Sequence, residues 1–326
     1  MKLKRLTALL LSVMLVLSLA ACGGGKDAKD DSADGDLSGK EIIIGNITPV
    51  TGAQAAYGLA ITNSIQMAID EINADGGILG ATVKLSTKDD QGTPAEAVSG
   101  FNSLLSEGAA AIIGATLSSC TSAITSLADD EGIVLVTPSS TADSITTTDD
   151  YVFRSCFKDS FQGEMVAAYA KDQGWTKAAV LYATGDTYSS GLHDSFVKAA
   201  EKYGIEIVCE QSSSDTGAVD FSSQLATIAA SGVDMLFAPY YYDAVGPKII
   251  PQAREAGFKG AIMGCDGFDG TQDYTTGDLS AYENVYFTNH YSPEDSSEIV
   301  QSYVKNYTEK YGSESMNALG ALAYDA

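Results

Sequence analysis

Histidine is almost missing from this chain of 326 residues; His193 and His290 are the whole supply. Five cysteines occur and none forms a CxxC pair, so the His/Cys sets that hold structural zinc cannot be assembled. Cations are scarce as well, 19 Lys and Arg against 43 Asp and Glu, for a formal net charge of -24. A nucleic-acid surface needs clustered Lys and Arg, and this balance argues against one. It argues equally against electrostatic attachment to an anionic membrane. Also absent are GxxxxGK[ST], HExxH and GxSxG, and no cysteine–histidine pair suggests a nucleophile. Gly76, Gly77 and Gly80 close a helical pattern and do not follow a strand, so they are not a dinucleotide loop. Nothing here supports catalysis, a cofactor or a metal.

Long apolar runs are missing too, with one exception at the start. Lys2, Lys4 and Arg5 precede an apolar run from Leu6 to Leu19, which ends in Leu19-Ala20-Ala21-Cys22. The run is too short and wrongly flanked for a spanning helix and reads as a secretory signal over residues 1–21. Its end resembles the lipobox of bacterial lipoproteins, which implies a diacylglyceryl group on the Cys22 thiol and a mature chain starting there. Removing three cations takes the net charge from -24 to -27, so lipid must do the anchoring. At roughly 0.8 kcal/mol per buried methylene, two acyl chains hold firmly. After Cys22, residues 23–40 are glycine, aspartate, serine, lysine and alanine with Leu37 the one large apolar side chain, a composition expected to make 22–40 a disordered tether. The remaining cysteines, Cys120, Cys156, Cys209 and Cys265, allow three disulfide pairings. A large domain does not need such staples, and mostly free, buried thiols are expected.

From Glu41 onward, short β-branched runs alternate with helical patterns. Strands are expected at 41–47, 82–88, 110–113, 133–136, 177–182, 205–209, 233–238 and 260–263. Helices are expected at 94–107, 119–131, 160–172, 188–203, 218–231 and 244–256, and Ile61, Ile65, Ile69 and Ile72 mark another by their 3.6-residue stripe. Strands separated by single helices give parallel sheets covered on both faces, an α/β class. Two successive blocks of this rhythm imply two lobes dividing near residues 154–158. In such sheets ligands bind beyond the carboxyl ends of the strands.

Those ends carry polar groups. After Ile113 comes Gly114-Ala115-Thr116-Leu117-Ser118-Ser119, where hydroxyls crowd a helix start; this suits an anion or simple N-capping. After Val136 comes Thr137-Pro138-Ser139-Ser140-Thr141, and two hydroxyl clusters at neighbouring strand ends favour a ligand. Beyond Met263 stands Asp266 between glycines, either a turn residue or an acid for a ligand ammonium. Tyr188 and Tyr240-Tyr241-Tyr242 either wall a pocket or pack helices.

The run Ala68-Ile69-Asp70-Glu71-Ile72-Asn73-Ala74-Asp75-Gly76-Gly77-Ile78-Leu79-Gly80 adds a further signal, with Tyr57-Gly58, Asp89-Asp90, Thr137-Pro138, Phe153-Arg154 and Gln252-Ala253-Arg254-Glu255-Ala256-Gly257. From Ile42 to the last residue the chain resembles the solute-binding proteins of branched-chain amino acid ABC transporters. The resemblance implies the type I periplasmic-binding-protein fold: two Rossmann-like lobes, 41–157 plus 289–326 and 158–288, joined by a hinge. It implies a monomer that captures an amino acid by hinge closure and delivers it to a membrane permease. Position by position it implies Ser118 for the ligand carboxylate, the Ser139 carbonyl for the ammonium, Thr141 for both, and Asp266 facing the ammonium. Tyr57, Tyr188 and Tyr242 would be aromatic pocket positions, with Leu117 and, more loosely, Leu319 against the ligand side chain. Two departures leave branched-chain, other aliphatic and aromatic amino acids open. Aspartate replaces the family's glutamate at 266, and tyrosines follow Pro239 where the branched-chain binder has glycines. A ligand sensor of the same fold, and a binder of an amide, small organic acid or nucleoside, are the alternatives. In that family Tyr324-Asp325-Ala326 lies inside a helix, which implies a segment missing beyond it.

Overall fold

A computed structural model describes residues 35–147, 150–275, 277–313 and 315–326. The expected signal segment and Cys22 lie outside the described residues. Two five-stranded sheets form the frame, and every pairing in both is parallel. The first has the order β2-β1-β3-β4-β5, from β1 (Glu41–Thr48), β2 (Thr82–Asp89), β3 (Ala111–Gly114), β4 (Val134–Thr137) and β5 (Val152–Arg154). The second has the order β10-β9-β8-β6-β7, from β6 (Lys177–Ala183), β7 (Glu206–Ser213), β8 (Met235–Phe237), β9 (Ala261–Gly264) and β10 (Val285–Phe287). Central strands such as β8 and β9 are buried along their whole length, as sheets covered on both faces require. The expected α/β class with two parallel-sheet lobes is borne out. The chain passes between the sheets at residues 155–158 and returns near residues 288–290.

Helix α1 (Ala55–Ala74) buries Tyr57, Ile61, Ile65 and Ile69, a ridge of every fourth residue. Ile72, expected on this stripe, is 40% exposed. The next step of four is Asn73, whose amide donates to Val83 O at 2.9 Å and accepts from Val83 N at 2.8 Å. That two-way clip fixes the last turn of α1 to β2 and turns Ile72 outward. Gly58 lets the helix start close to the β1 loop, because a Cβ there would overlap the Pro49 carbonyl. Helix α2 (Pro94–Glu107) starts on proline and stops at Gly108, which is left-handed at φ 78°.

The helix expected over 119–131 is two: α3 (Ser118–Ser122) and α4 (Thr125–Glu131). Hydroxyls break it, since Thr121 Oγ1 donates to Ala115 O at 2.9 Å and Thr125 Oγ1 to Ser122 O at 3.4 Å. Helices α5 (Asp159–Asp172) and α6 (Thr187–Tyr203) flank the second sheet. Helix α7 (Ser222–Ala230) begins later than expected because Asp220 Oδ1 accepts from Ser222 N at 2.9 Å. Instead of one helix over 244–256, a short turn Tyr242–Ala244 widens into a π-turn, Val245–Ile249, before α8 (Ile250–Glu255). Pro251 stands in α8's first turn and cannot donate to the turn before it. Helix α9 (Glu298–Tyr311) and the three-residue strands β5 and β10 were not anticipated, while α10 (Ala318–Asp325) covers Tyr324 and Asp325, which the resemblance placed inside a helix. Helix α10 packs on α1, adding Leu319 and Ala323 to the core.

Part of the expected tether is ordered. Leu37 N donates to Leu79 O at 2.7 Å, and Lys40 N to Leu37 O at 2.9 Å, so residues 37–40 lie against the turn after α1. Cys120, Cys156 and Cys265 are buried free thiols; Cys209 is free and half-buried. Among the described residues no helix is long and apolar enough to cross a membrane.

Candidate functional site

The carboxyl ends of both sheets face the same junction. From the first lobe the loops after β1, β3 and β4 arrive; from the second, those after β6, β8 and β9. Between them lies a narrow pocket of about 10 Å³, closed down to roughly the size of one water. Tyr57, Thr116, Leu117, Ser118, Ser139 and Leu319 line it from the first lobe, and Tyr188, Tyr241, Asp266 and Gly267 from the second. Six of the residues expected at the site, Tyr57, Leu117, Ser118, Ser139, Tyr188 and Asp266, therefore meet around one space, with Leu319 as a seventh.

Two expected residues stand elsewhere. Tyr242 lies behind Tyr57, with ring centroids 4.7 Å apart and planes at 84°, and its hydroxyl donates to Ala53 O at 2.9 Å. Its neighbour Tyr241 takes the place on the pocket wall, stacked on Tyr188 at 5.0 Å. The residue after a strand alternates sides, and sequence could not say which of three adjacent tyrosines turns inward. Thr141 is wholly buried but is not a lining residue, and its Oγ1 has no hydrogen-bond partner.

The hydroxyl clusters first of all stitch their own loops together. Thr137 Oγ1 donates to Ala115 O at 2.8 Å, Ser139 Oγ to Thr116 O at 2.8 Å, and Thr121 Oγ1 lies 2.6 Å from Ser140 Oγ. Ser139 thus spends its hydroxyl inside the lobe and keeps its carbonyl for other use. Ser118 Oγ accepts from Ala142 N at 3.3 Å, which leaves its proton free to donate into the pocket. Arg154, at the end of β5, pins the same loop by donating to Ser140 O at 2.9 Å, Ala142 O at 2.8 Å and Thr146 Oγ1 at 3.1 Å.

Asp266 is 3% exposed and held by residues that sequence reasoning missed. Its Oδ1 accepts from Gln162 Nε2 at 2.8 Å and from the Tyr188 hydroxyl at 3.1 Å, and its Oδ2 lies 3.4 Å from His290 Nε2. Gln162 Oε1 also accepts from Asp266 N at 3.1 Å and from Thr288 Oγ1 at 2.8 Å, so one amide fixes the acid's backbone and side chain together. His290 stacks on Phe157 at 3.7 Å, joining the two crossings between lobes. Both residues come from segments far from residue 266 in sequence, and only the fold brings them there. Gly267 is needed beside them, because a Cβ there would come within 2.7 Å of Tyr240 O and 2.8 Å of the Tyr188 hydroxyl.

The lobes also clasp one another directly. The Tyr57 hydroxyl donates to Gly267 O at 2.7 Å, Gln54 Nε2 to Asp243 Oδ1 at 2.9 Å, and Ser119 Oγ to Asp186 Oδ2 at 3.0 Å. Burial raises the pKa values of Asp186, Asp243 and Asp269, and of the Tyr57, Tyr188 and Tyr241 phenols. A cleft rich in acids and hydroxyls, with no Lys or Arg in its lining, has what is needed to fix a positive group beside a hydrogen-bond acceptor. No group of three or more His, Cys, Asp or Glu able to hold a metal occurs among the described residues.

A two-lobed α/β protein with an enclosed polar cleft between its lobes is built to capture a small molecule. The family described as Periplasmic binding protein matches residues 41–326, and the chain belongs to that family. Its members are extracytoplasmic binding proteins. The chain is 31% identical over 251 residues to the Leu/Ile/Val-binding protein homolog 3 of Brucella melitensis, covering 76% of this chain and 67% of the relative. It is 32% identical over 254 residues to the Leu/Ile/Val-binding protein BraC3 of Rhizobium johnstonii, covering 78% and 68%. Among solved structures, the branched-chain amino acid substrate-binding protein LivJ of Streptococcus pneumoniae, in complex with isoleucine, matches with a TM-score of 0.79 at 32% identity, over 88% of this chain and 81% of that one. A solute-binding protein from Rhodopseudomonas palustris in complex with 4-hydroxybenzoate shares the fold, TM-score 0.79, at 19% identity.

Proposed function

We propose that this chain is the extracytoplasmic substrate-binding subunit of an ABC transporter and that it captures an amino acid with a branched aliphatic or related side chain. The observation that carries the reading is the meeting of Ser118 and Ser139 from one lobe with Asp266 from the other around a single pocket. An α-amino acid offers a carboxylate to the Ser118 hydroxyl and an ammonium to the Ser139 carbonyl and Asp266, while Leu117, Leu319 and Tyr241 face its side chain. Only a closed cleft presents all of these at once, so the ligand stabilises closure by touching both lobes. The closed form is then the form a permease recognises. The Leu/Ile/Val-binding relatives support the ligand class. Cys22 anchors the protein by lipid, with residues 23–36 as the reach between membrane and domain, and the protein works as a monomer.

Thermal unfolding against all amino acids and against benzoates tests this. A ligand at a hundred times its Kd adds about 2.7 kcal/mol to the stability of the folded state. Leucine, isoleucine or valine is expected to raise the midpoint, and Asp266→Ala to remove that rise. A response to benzoates alone would contradict the reading.

A further inference from the structure

His290 stands on the second crossing between the lobes, its ring stacked on Phe157 of the first crossing at 3.7 Å and 27°. Its side chain is 3% exposed and that of Asp266 5%, so the two face one another out of water. Asp266 Oδ1 is fully used, accepting from Gln162 Nε2 and from the Tyr188 hydroxyl. Among the described residues Oδ2 meets only His290 Nε2, at 3.4 Å. A carboxylate oxygen can only accept, so Nε2 carries a proton on this side, and Nδ1 is the atom that gains or loses one. At 3.4 Å the contact is long, and Oδ2 keeps the capacity for a second, stronger donor. That is the oxygen a ligand ammonium needs.

The titratable groups around the ring are acids, phenols and thiols. Asp266 faces it from the loop after β9; Asp159 at the start of α5 and Asp269 lie near Asp266. Cys156 and Cys265 are neutral there, their thiols pushed up by burial. His290 also lines a groove of about 430 Å³ with Glu71 of α1, Tyr291, Tyr303 of α9, and Tyr324 and Asp325 of α10. Of the nearby cations, Lys158 is exposed, and Arg154 is committed to Ser140 O, Ala142 O and Thr146 Oγ1. A proton arriving on His290 is therefore drawn to Asp266 Oδ2 and turns a weak contact into a charge-assisted hydrogen bond. Imidazolium and ligand ammonium then compete for one oxygen and repel each other. We propose that His290 is a pH-sensitive gate on the cleft: neutral, it leaves Asp266 Oδ2 to the ligand ammonium; protonated, it takes that oxygen and drives the ligand out. Histidine is the side chain whose ordinary charge change falls between pH 5 and 8, and a protein outside the cytoplasm meets the pH of its surroundings directly. Loading is favoured at neutral pH and release in acid. In acid each ligand that binds expels one proton, the Nδ1–H bond breaking and the proton passing to solvent. The gate rests on the amino-acid reading of the cleft and adds regulation to that site.

Calorimetric titration with leucine at about pH 5, 6.5 and 8, paired with NMR of the imidazole Cε1–H signals, tests the gate in tag-free wild type, His290→Gln and His290→Phe. The chain holds two histidines, His193 and His290, so the signal lost in either variant belongs to His290. Wild type is expected to bind leucine at least tenfold more weakly at the acid end. Leucine is expected to move the His290 titration midpoint down by about one pH unit or more, the reciprocal of that tenfold change. A merely structural histidine would show neither effect. Glutamine cannot take up a proton, and phenylalanine keeps the stack on Phe157; in each the acid loss is expected to shrink to about threefold or less. The second variant keeps the test open should the first misfold. A midpoint that leucine leaves unmoved, or a tenfold loss that persists in both variants, refutes the gate. If wild type binds leucine equally well across the range, the gate is refuted while the reading of the cleft stands. If wild type binds no amino acid at any pH, that reading falls, and this inference with it.

Discussion

Replacing Tyr57 by phenylalanine isolates lobe closure from pocket shape. The tyrosine sits in the first turn of α1, 1% exposed, with its ring against Tyr242 at 4.7 Å and Tyr241 at 6.5 Å. Its hydroxyl donates across the junction to Gly267 O at 2.7 Å. Phenylalanine keeps every ring contact and deletes that one bond. The carbonyl of Gly267 then stays buried without this donor, at a cost of about 1–3 kcal/mol. Only the closed form makes the bond, so the closed-to-open ratio falls by about 5- to 150-fold at 1.4 kcal/mol per tenfold. Once the closed form is the minor one, apparent affinity drops by the same factor. Calorimetry with leucine reads the affinity, and small-angle scattering of the empty protein reads the separation of the lobes. Unchanged affinity together with unchanged separation would refute the claim that this bond holds the cleft shut.

Other residues make separable predictions. Burial pushes the Asp90 carboxyl up from 3.8 to about 6, against the opposing Gly92 N–H. The folded state therefore binds its proton more tightly than the unfolded chain, and stability falls as pH rises through that window. Asp90→Asn is expected to gain up to about 3 kcal/mol at pH 7, from 1.36 kcal/mol per pH unit, and to lose the gain near pH 4; a pH-independent difference in denaturant midpoint would exclude this. Arg154→Lys should lower stability by about 1–3 kcal/mol and weaken ligand binding, because an ammonium cannot donate in the fork that reaches Ser140 O, Ala142 O and Thr146 Oγ1. Equal unfolding midpoints would contradict that role. Cys156, whose thiol burial pushes up to about 12, should resist a thiol reagent until the protein unfolds; fast labelling of the native protein would count against its burial.

Much of the frame was legible because parallel strands write themselves as short apolar runs. The carboxyl ends of those runs then gave Ser118, Ser139, Tyr188 and Asp266 before any coordinates. What escaped had physical causes. The strands β5 and β10 are three residues long and lie at sheet edges, too short for a pattern. The break between α3 and α4 depends on hydroxyls choosing backbone carbonyls that only the neighbouring loop supplies. Gln162 and His290 touch Asp266 across 104 and 24 residues of sequence, and neither carries a local motif. Tyr241 instead of Tyr242 lines the pocket because the chain turns just after β8. The residues at the strand ends pointed to the chemistry of the cleft, while the partners that tune it were set by tertiary packing alone.

The central claim is that opposed hydroxyl and carboxylate groups grip both ends of one α-amino acid. Titrating leucine and its deaminated analogue, 4-methylpentanoate, into the same protein puts that to the test. A charge-assisted hydrogen bond is worth about 1.5–3 kcal/mol, so loss of the ammonium is expected to weaken binding by roughly 10- to 150-fold. Equal affinity for the two compounds would contradict the account.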